Sequence, residues 1–143
     1  MLDKKLELFV ATKAFITYKG KIIIVKESGD HTSNTQVDKY DIPGGRMNPV
    51  ETLHQSLTRE VREEVGLGID IKESFFANEA FTETKKETWH IVRVFFNCEA
   101  KTNAVTLSSE HYKYEWINPK DYKKYDIIEN LYPAFESYLA NKK

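Results

Sequence analysis

From Thr52 to Val65 apolar residues recur at every fourth position, Leu53, Leu57, Val61 and Val65, and Gly66 follows directly. That recurrence, ended by glycine, predicts a helix with a left-handed C-terminal cap and is the strongest local constraint on the fold. At about 100° per residue, Leu57, Val61 and Val65 lie roughly 40°, 80° and 120° round the wheel from Leu53. Glu60 and Glu64 fall at roughly −20° and 20°, inside the apolar stripe, and Glu63 flanks it at roughly −80°. Arg59 and Arg62 are expected to point towards water. Glutamates on an ordinary amphipathic helix lie on the solvated face. Here two of three share the inward side, which points to chemistry rather than solubility.

Carboxylates three and four residues apart have Cβ atoms about 5–6 Å from one another. Three of them repel by several kcal/mol at an effective dielectric of about 20, so one would take up a proton unless a cation neutralised the group. All-oxygen ligation favours a hard ion, Mg²⁺ or Mn²⁺, over Zn²⁺. Upstream, Pro43-Gly44-Gly45 supplies a backbone free to take positive φ and to approach a ligand or the helix closely.

Around this helix the chain reads as strands. Leu8 to Tyr18 and Lys21 to Lys26 form an antiparallel pair across Lys19-Gly20. Ser28 to Lys39 is polar and reads as an exposed loop, and Tyr40-Asp41-Ile42 as a short extended piece. Phe75 to Phe81, Thr88 to Asn97 and Tyr114 to Ile117 read as further strands. Asp126 to Leu139 reads as a second helix, although Pro133 sits inside it. The order predicts an α/β (α+β) fold, a mixed sheet covered by helices, with residues 1–143 forming one domain.

Lys plus Arg total 21 against 22 Asp plus Glu, so there is no electrostatic footprint for a nucleic-acid polymer. No apolar run is long enough to span a bilayer, and the mixed-charge N-terminus lacks a signal peptide's apolar region. Cys98 is the only cysteine, so neither an internal disulfide nor a cysteine zinc site is expected, and a cytoplasmic protein is. His31, His54, His90 and His111 show no metal-ligand spacing.

Gly45, five residues, Glu51, seven residues, then Arg59-Glu60-Val61-Arg62-Glu63-Glu64-Val65-Gly66-Leu67 resembles a complete Nudix box, with every specified position filled. A chance match is on the order of one in a billion per starting position. The resemblance implies the family's α/β/α sandwich and a metal-dependent hydrolase that cuts a diphosphate linkage in a nucleoside diphosphate derivative or (d)NTP. It also implies roles: Glu60, Glu63 and Glu64 as metal ligands and catalytic residues, Glu51 paired with Arg59 to brace the corner between loop and helix, and Gly44, Gly45 and Arg59 around the substrate's phosphates. Ser109 to Trp116 resembles the family's downstream loop, making Glu110 the candidate fourth carboxylate or general base, against the reading of an ordinary surface glutamate. Val50 stands where the family often has Gly, and Asn48 where an acidic residue is common.

Two rival readings share the fold. A catalytically silent Nudix-like module that binds a nucleotide or protein would be expected to have lost a box carboxylate, and this chain has lost none. An isoprenoid diphosphate isomerase would need a cysteine near the site, and Cys98 within a strand fits that poorly. Thr82 to Lys86 carries neither the Pro nor the Tyr of the subgroups acting on ADP-ribose or dinucleoside polyphosphates, and the coenzyme A subgroup's signature is missing. Tyr40, Phe81, Trp89 and Tyr112 are candidates to stack a base. The expected partner is a small phosphoanhydride, with monomer and homodimer both open.

Overall fold

Lys19 and Gly20 carry positive φ angles of 51° and 83°, the geometry that turns a strand tightly back on itself. They join β1 (Lys5–Tyr18) to β2 (Lys21–Glu27). The computed structural model describes residues 4–27 and 38–141. Residues 28–37, the greater part of the predicted polar loop and with it His31, lie outside the described residues. After the loop come β3 (Tyr40–Asp41), β4 (Gly44–Arg46), α1 (Leu53–Val65), β5 (Ile69–Glu83), β6 (Glu87–Ala100), β7 (His111–Ile117) and α2 (Tyr132–Ala140).

The strands form one mixed sheet in the order β3-β2-β1-β6-β5, with β4 added to β1 and β7 to β2. β1 and β6 run parallel from Lys5↔Glu87 to Thr17↔Glu99. Helices cover both faces, the α/β/α sandwich expected. Ala14, Ile16, Phe96 and Cys98 pack with Leu57, Val61 and Val65 of α1. Phe15 and Phe95, one residue along each strand and so on the other face, pack with Leu131, Phe135 and Tyr138. Among the described residues, no helix is long and apolar enough to cross a membrane.

Three expectations change. Leu53 is not part of the buried stripe: it is 37% exposed, and the inward face of α1 is Ser56, Leu57, Val61, Glu64 and Val65. Side chains lean towards a helix's N-terminus, so one in the first turn overhangs the packed surface. The second helix begins at Tyr132 rather than Asp126. Pro133 belongs in a first turn, where its missing N–H is no loss. Residues 126–128 are held extended, with Tyr40 N donating to Asp126 O at 2.8 Å and Ile128 N donating to Tyr40 O at 3.0 Å, and Glu129–Leu131 form a short 3-10 turn ahead of the helix. Finally, β5 starts at Ile69, well before Phe75. Asp70, Lys72 and Glu73 make its early outward positions polar, which hides the strand's period from the sequence.

Candidate active site

One edge of β1 is shared. Thr17 and Tyr18 pair with β2, whereas Ala11, Thr12 and Lys13 pair with β4. The sheet therefore splits between β2 and β4, and a cleft of about 230 Å³ opens there. It is lined by Lys13, Asp41, Gly44, Gly45, Glu60, Glu64, Glu110 and His111 among others. Thr12 looks the other way, to α1, with its hydroxyl 3.2 Å from Ser56 Oγ.

Helix α1 delivers the carboxylates. It is fixed at its start by a reciprocal cap, Gln55 N to Thr52 Oγ1 at 3.1 Å and Thr52 N to Gln55 Oε1 at 2.9 Å. Gly66, at φ 69°, ends it. Glu60 and Glu64, one turn apart, both present their carboxyls to the cleft. Gly44 N donates to Glu64 Oε1 at 3.3 Å, and His111 Nε2 lies 3.9 Å from the same oxygen. Burial pushes the Glu64 carboxyl well above its ordinary range. Lys13 opposes that shift, and the neighbouring Glu60 adds to it.

The two glycines are demanded by contact. A Cβ on Gly45 would sit 2.9 Å from the Glu60 carboxyl group. A Cβ on Gly44, whose φ is 138°, would lie 2.1 Å from the Thr12 carbonyl oxygen. At Gly44 the obstacle is fixed backbone, and at Gly45 it is the movable end of the Glu60 side chain.

Arg59 is not directed to water, as the wheel implied. It folds back over the box, donating to Glu51 from Nε at 2.6 Å and from Nη2 at 2.9 Å, and to Glu60 and Glu63 from Nη1 at 3.2 Å each. Its long stem reaches across the helix surface, which a wheel of Cβ directions does not represent. Nη2 also donates to the Arg46 carbonyl at 3.3 Å. The Glu51 carboxyl is held at about 2, first by Arg59 and then by the Asn48 N–H. Val50, at the position where family members often carry Gly, has no positive φ and is 92% exposed, so the loop tolerates it.

The structure brings Glu60 and Glu64 together and sets Glu110 on the cleft's exposed rim. Glu63 stands apart, its side chain 60% exposed and tied to Arg59. Among the described residues no three acidic, histidine or cysteine side chains are gathered closely enough to enclose an ion by themselves. Two adjacent carboxylates nonetheless suit Mg²⁺, which is commonly held by one or two carboxylates together with substrate phosphates. Both carboxyls open on the cleft beside the bare Gly44–Gly45 backbone and offer only oxygen donors, so the residues fit a hard divalent ion.

Sequence reasoning missed Lys13, Asp41 and His111. Lys13 is buried with its Nζ 3.3 Å from Asp41 Oδ1. A lysine inside an otherwise apolar strand is the signal that was available for it. His111 has no ligand spacing in sequence, and only the packing of β7 against β2 places it beside Glu64. None of the candidate stacking aromatics lines the cleft. Tyr40 is buried with its hydroxyl donating to Glu115 at 2.5 Å, Phe81 stacks on His90, Trp89 donates to Glu87 at 2.5 Å, and Tyr112 donates to Asp38 at 2.9 Å. Cys98 is buried on the α1 side with its thiol pushed up to about 12 by desolvation, and it does not line the cleft where an isomerase would need a cysteine.

A helix of carboxylates beneath a glycine corner at the split of a mixed sheet is the arrangement to set beside known proteins. The NUDIX domain model matches residues 8–138, and the chain belongs to the Nudix hydrolase family as a pyrophosphohydrolase. It is 30% identical over 96 residues to a nucleoside triphosphatase, NudI, of Escherichia coli K12, covering 62% of this chain and 68% of that protein. The NudI of Klebsiella pneumoniae is 29% identical over the same span. In fold the chain is similar to a MutT protein from Methanosarcina mazei, with TM-score 0.77, 24% identity and 100% of both chains covered. It is also similar to a NUDIX hydrolase from Nitrosomonas europaea, with TM-score 0.75, 20% identity and coverage of 96% and 92%.

Proposed function

We propose that the protein hydrolyses a phosphoanhydride bond of a nucleoside triphosphate or related nucleoside diphosphate derivative, using Mg²⁺ or Mn²⁺. The observation that carries this reading is the Glu60–Glu64 pair, with Glu64 too buried to ionise cheaply unless a cation arrives. Relatives that are named nucleoside triphosphatases support the substrate class. The near-neutral charge favours a small molecule over a nucleic-acid polymer, and we place the enzyme in the cytoplasm.

Glu60 and Glu64 would hold the cation, with Glu63 and Glu110 available to complete the shell through movement or water. When bound, the ion supplies charge neutralisation at the diphosphate and an acidified water. Lys13 adds fixed positive charge to the cleft, with Asp41 holding its ammonium in place. Bare backbone at Gly44 and Gly45 lets the phosphates lie close to the chain. Arg59 and Glu51 keep Glu60 aimed at the cleft. Glu110, exposed at the rim, takes the proton of the attacking water; the water's oxygen bonds to one phosphorus as that phosphorus loses its bridging oxygen, which leaves with the other phosphoryl group.

The test is a panel of nucleoside triphosphates, nucleotide sugars and dinucleoside polyphosphates assayed for released phosphate products. Turnover with Mg²⁺ or Mn²⁺ that stops in excess chelator is expected. Full turnover in chelator, or none with any member of the panel, would overturn the reading.

A further inference from the structure

Backbone bonds fix which edge each residue of β1 serves. Lys5 N donates to Lys86 O at 3.3 Å, so odd-numbered residues bond towards β6. Val10 O accepts from Met47 N and Ala14 N donates to Pro43 O, each at 2.9 Å, so even-numbered residues bond towards the β4 side. Pairing with β6 runs without a bulge from Lys5 to Thr17, so the alternation holds along the strand. Leu6 and Leu8 therefore aim N–H and C=O at the β4 edge. There β4 takes only Ala11, Thr12 and Lys13, and among the described residues no strand pairs with Leu6 or Leu8 on that side.

Sheets commonly blunt such an edge with a proline, a bulge or a covering loop. Residues 5–9 contain no proline and no bulge. The loop after β4 stands off from them, leaving a groove of about 530 Å³ lined by Leu8, Phe9, Val10, Arg46, Met47 and Pro49. Leu6 and Leu8 are 68% and 66% exposed and share one face of the strand, while Lys5 and Glu7 alternate with them on the other. One exposed leucine needs no explanation. Two on one face of an unpaired edge fit a strand laid alongside.

We propose that this edge takes a second copy of the chain, the two β1 strands pairing antiparallel about a two-fold axis at Leu6 and joining the two sheets. Charge selects both the occupant and the register. An axis at Lys5 would set lysine against lysine, and an axis at Glu7 would set glutamate against glutamate. An axis at Leu8 would need Val10 O, which already accepts from Met47 N. At Leu6 every term agrees. Leu6 forms a doubly bonded pair with its own copy, and Lys4 pairs with Leu8 on either side. Each Lys5 stands opposite Glu7 of the second copy, and each Leu8 lies diagonal to the other Leu6. Within one chain Lys5 Nζ and Glu7 Oε2 lie 3.8 Å apart with both side chains partly exposed, so this pairing passes to the second copy at little cost.

Sedimentation velocity of the full chain over about 5–500 µM tests this, and wild type should move from monomer towards dimer across that range. Lys5→Glu or Glu7→Lys alone sets like charges opposite one another and should weaken self-association at least about tenfold. The two single variants mixed in equal amounts have opposite charges at both positions, so they should associate within about threefold of wild type. Both substitutions leave the core untouched, and thermal melts of the variants should match wild type. A wild type that stays monomeric throughout would overturn the proposal. So would a dimer that neither single reversal weakens, because another surface then makes it. Single variants that stay apart when mixed would overturn it too, since pairing about Leu6 requires them to join.

Discussion

Arg59 grips Glu51 with two parallel hydrogen bonds, 2.6 Å to Oε2 and 2.9 Å to Oε1, and with its remaining nitrogen reaches Glu60. The fork ties the loop after β4 to the helix that carries the carboxylates. Lysine keeps the charge but not the fork, so Arg59→Lys should lower kcat/KM at least about tenfold. Glu51 gives the same contact a pH signature. Its folded pKa, about 2, lies below the ordinary 4.5, so its stabilisation is present above pH 4.5 and is lost as pH falls towards 2. Carboxyl ¹³C shifts should show Glu51 titrating near 2 in wild type and higher in Arg59→Lys. An unmoved titration would mean that Arg59 does not hold it.

The two glycines should fail differently. Gly45→Ala pushes only on the flexible end of Glu60, so it should cost at least about tenfold in turnover with a small change in melting temperature. Gly44→Ala drives a methyl into the Thr12 carbonyl at positive φ and should cost about 2–4 kcal/mol of stability. Paired melts and assays read both; equal losses of stability would refute the distinction.

Glu64→Gln keeps the shape of a buried carboxyl and removes its charge. Without metal at neutral pH the variant should melt no lower than wild type, and we expect a gain of about 0.5–1 kcal/mol. Wild type should gain about 1 kcal/mol, or about 2–4 °C, from Mg²⁺ at about five times a millimolar dissociation constant. The variant should gain much less and be nearly inactive. A metal-free variant melting several degrees lower would make Glu64 a structural residue.

Glu110→Gln should fold normally, because Glu110 is exposed and its backbone N–H, not its side chain, bonds Ser108 Oγ at 3.3 Å. Turnover should fall at least about tenfold. Wild-type rates would return Glu110 to the ordinary surface.

The box helix was legible because everything that makes it is short-range: an apolar repeat, a terminal glycine, and glutamates whose wheel positions conflict with solvation. Lys13, Asp41 and His111 were not, because they meet only through strand pairing across long stretches of chain, and the order of strands has no local signature. The start of α2 was misread because backbone bonds to Tyr40, distant in sequence, overrode the apolar pattern after Asp126. Arg59 was misplaced for a different reason. A wheel gives the direction in which a side chain leaves the helix, not where a long flexible one ends.

Thr12 and Lys13 are neighbours in the chain, yet Thr12 is tied to the box helix while Lys13, on the sheet's opposite face, is paired with Asp41 of β3 in the cleft. A change at Thr12 is therefore felt first by the helix that carries the carboxylates, and a change at Lys13 by the charge of the opening, so two adjacent positions of one strand govern the seat of the helix and the electrostatics of the cleft separately.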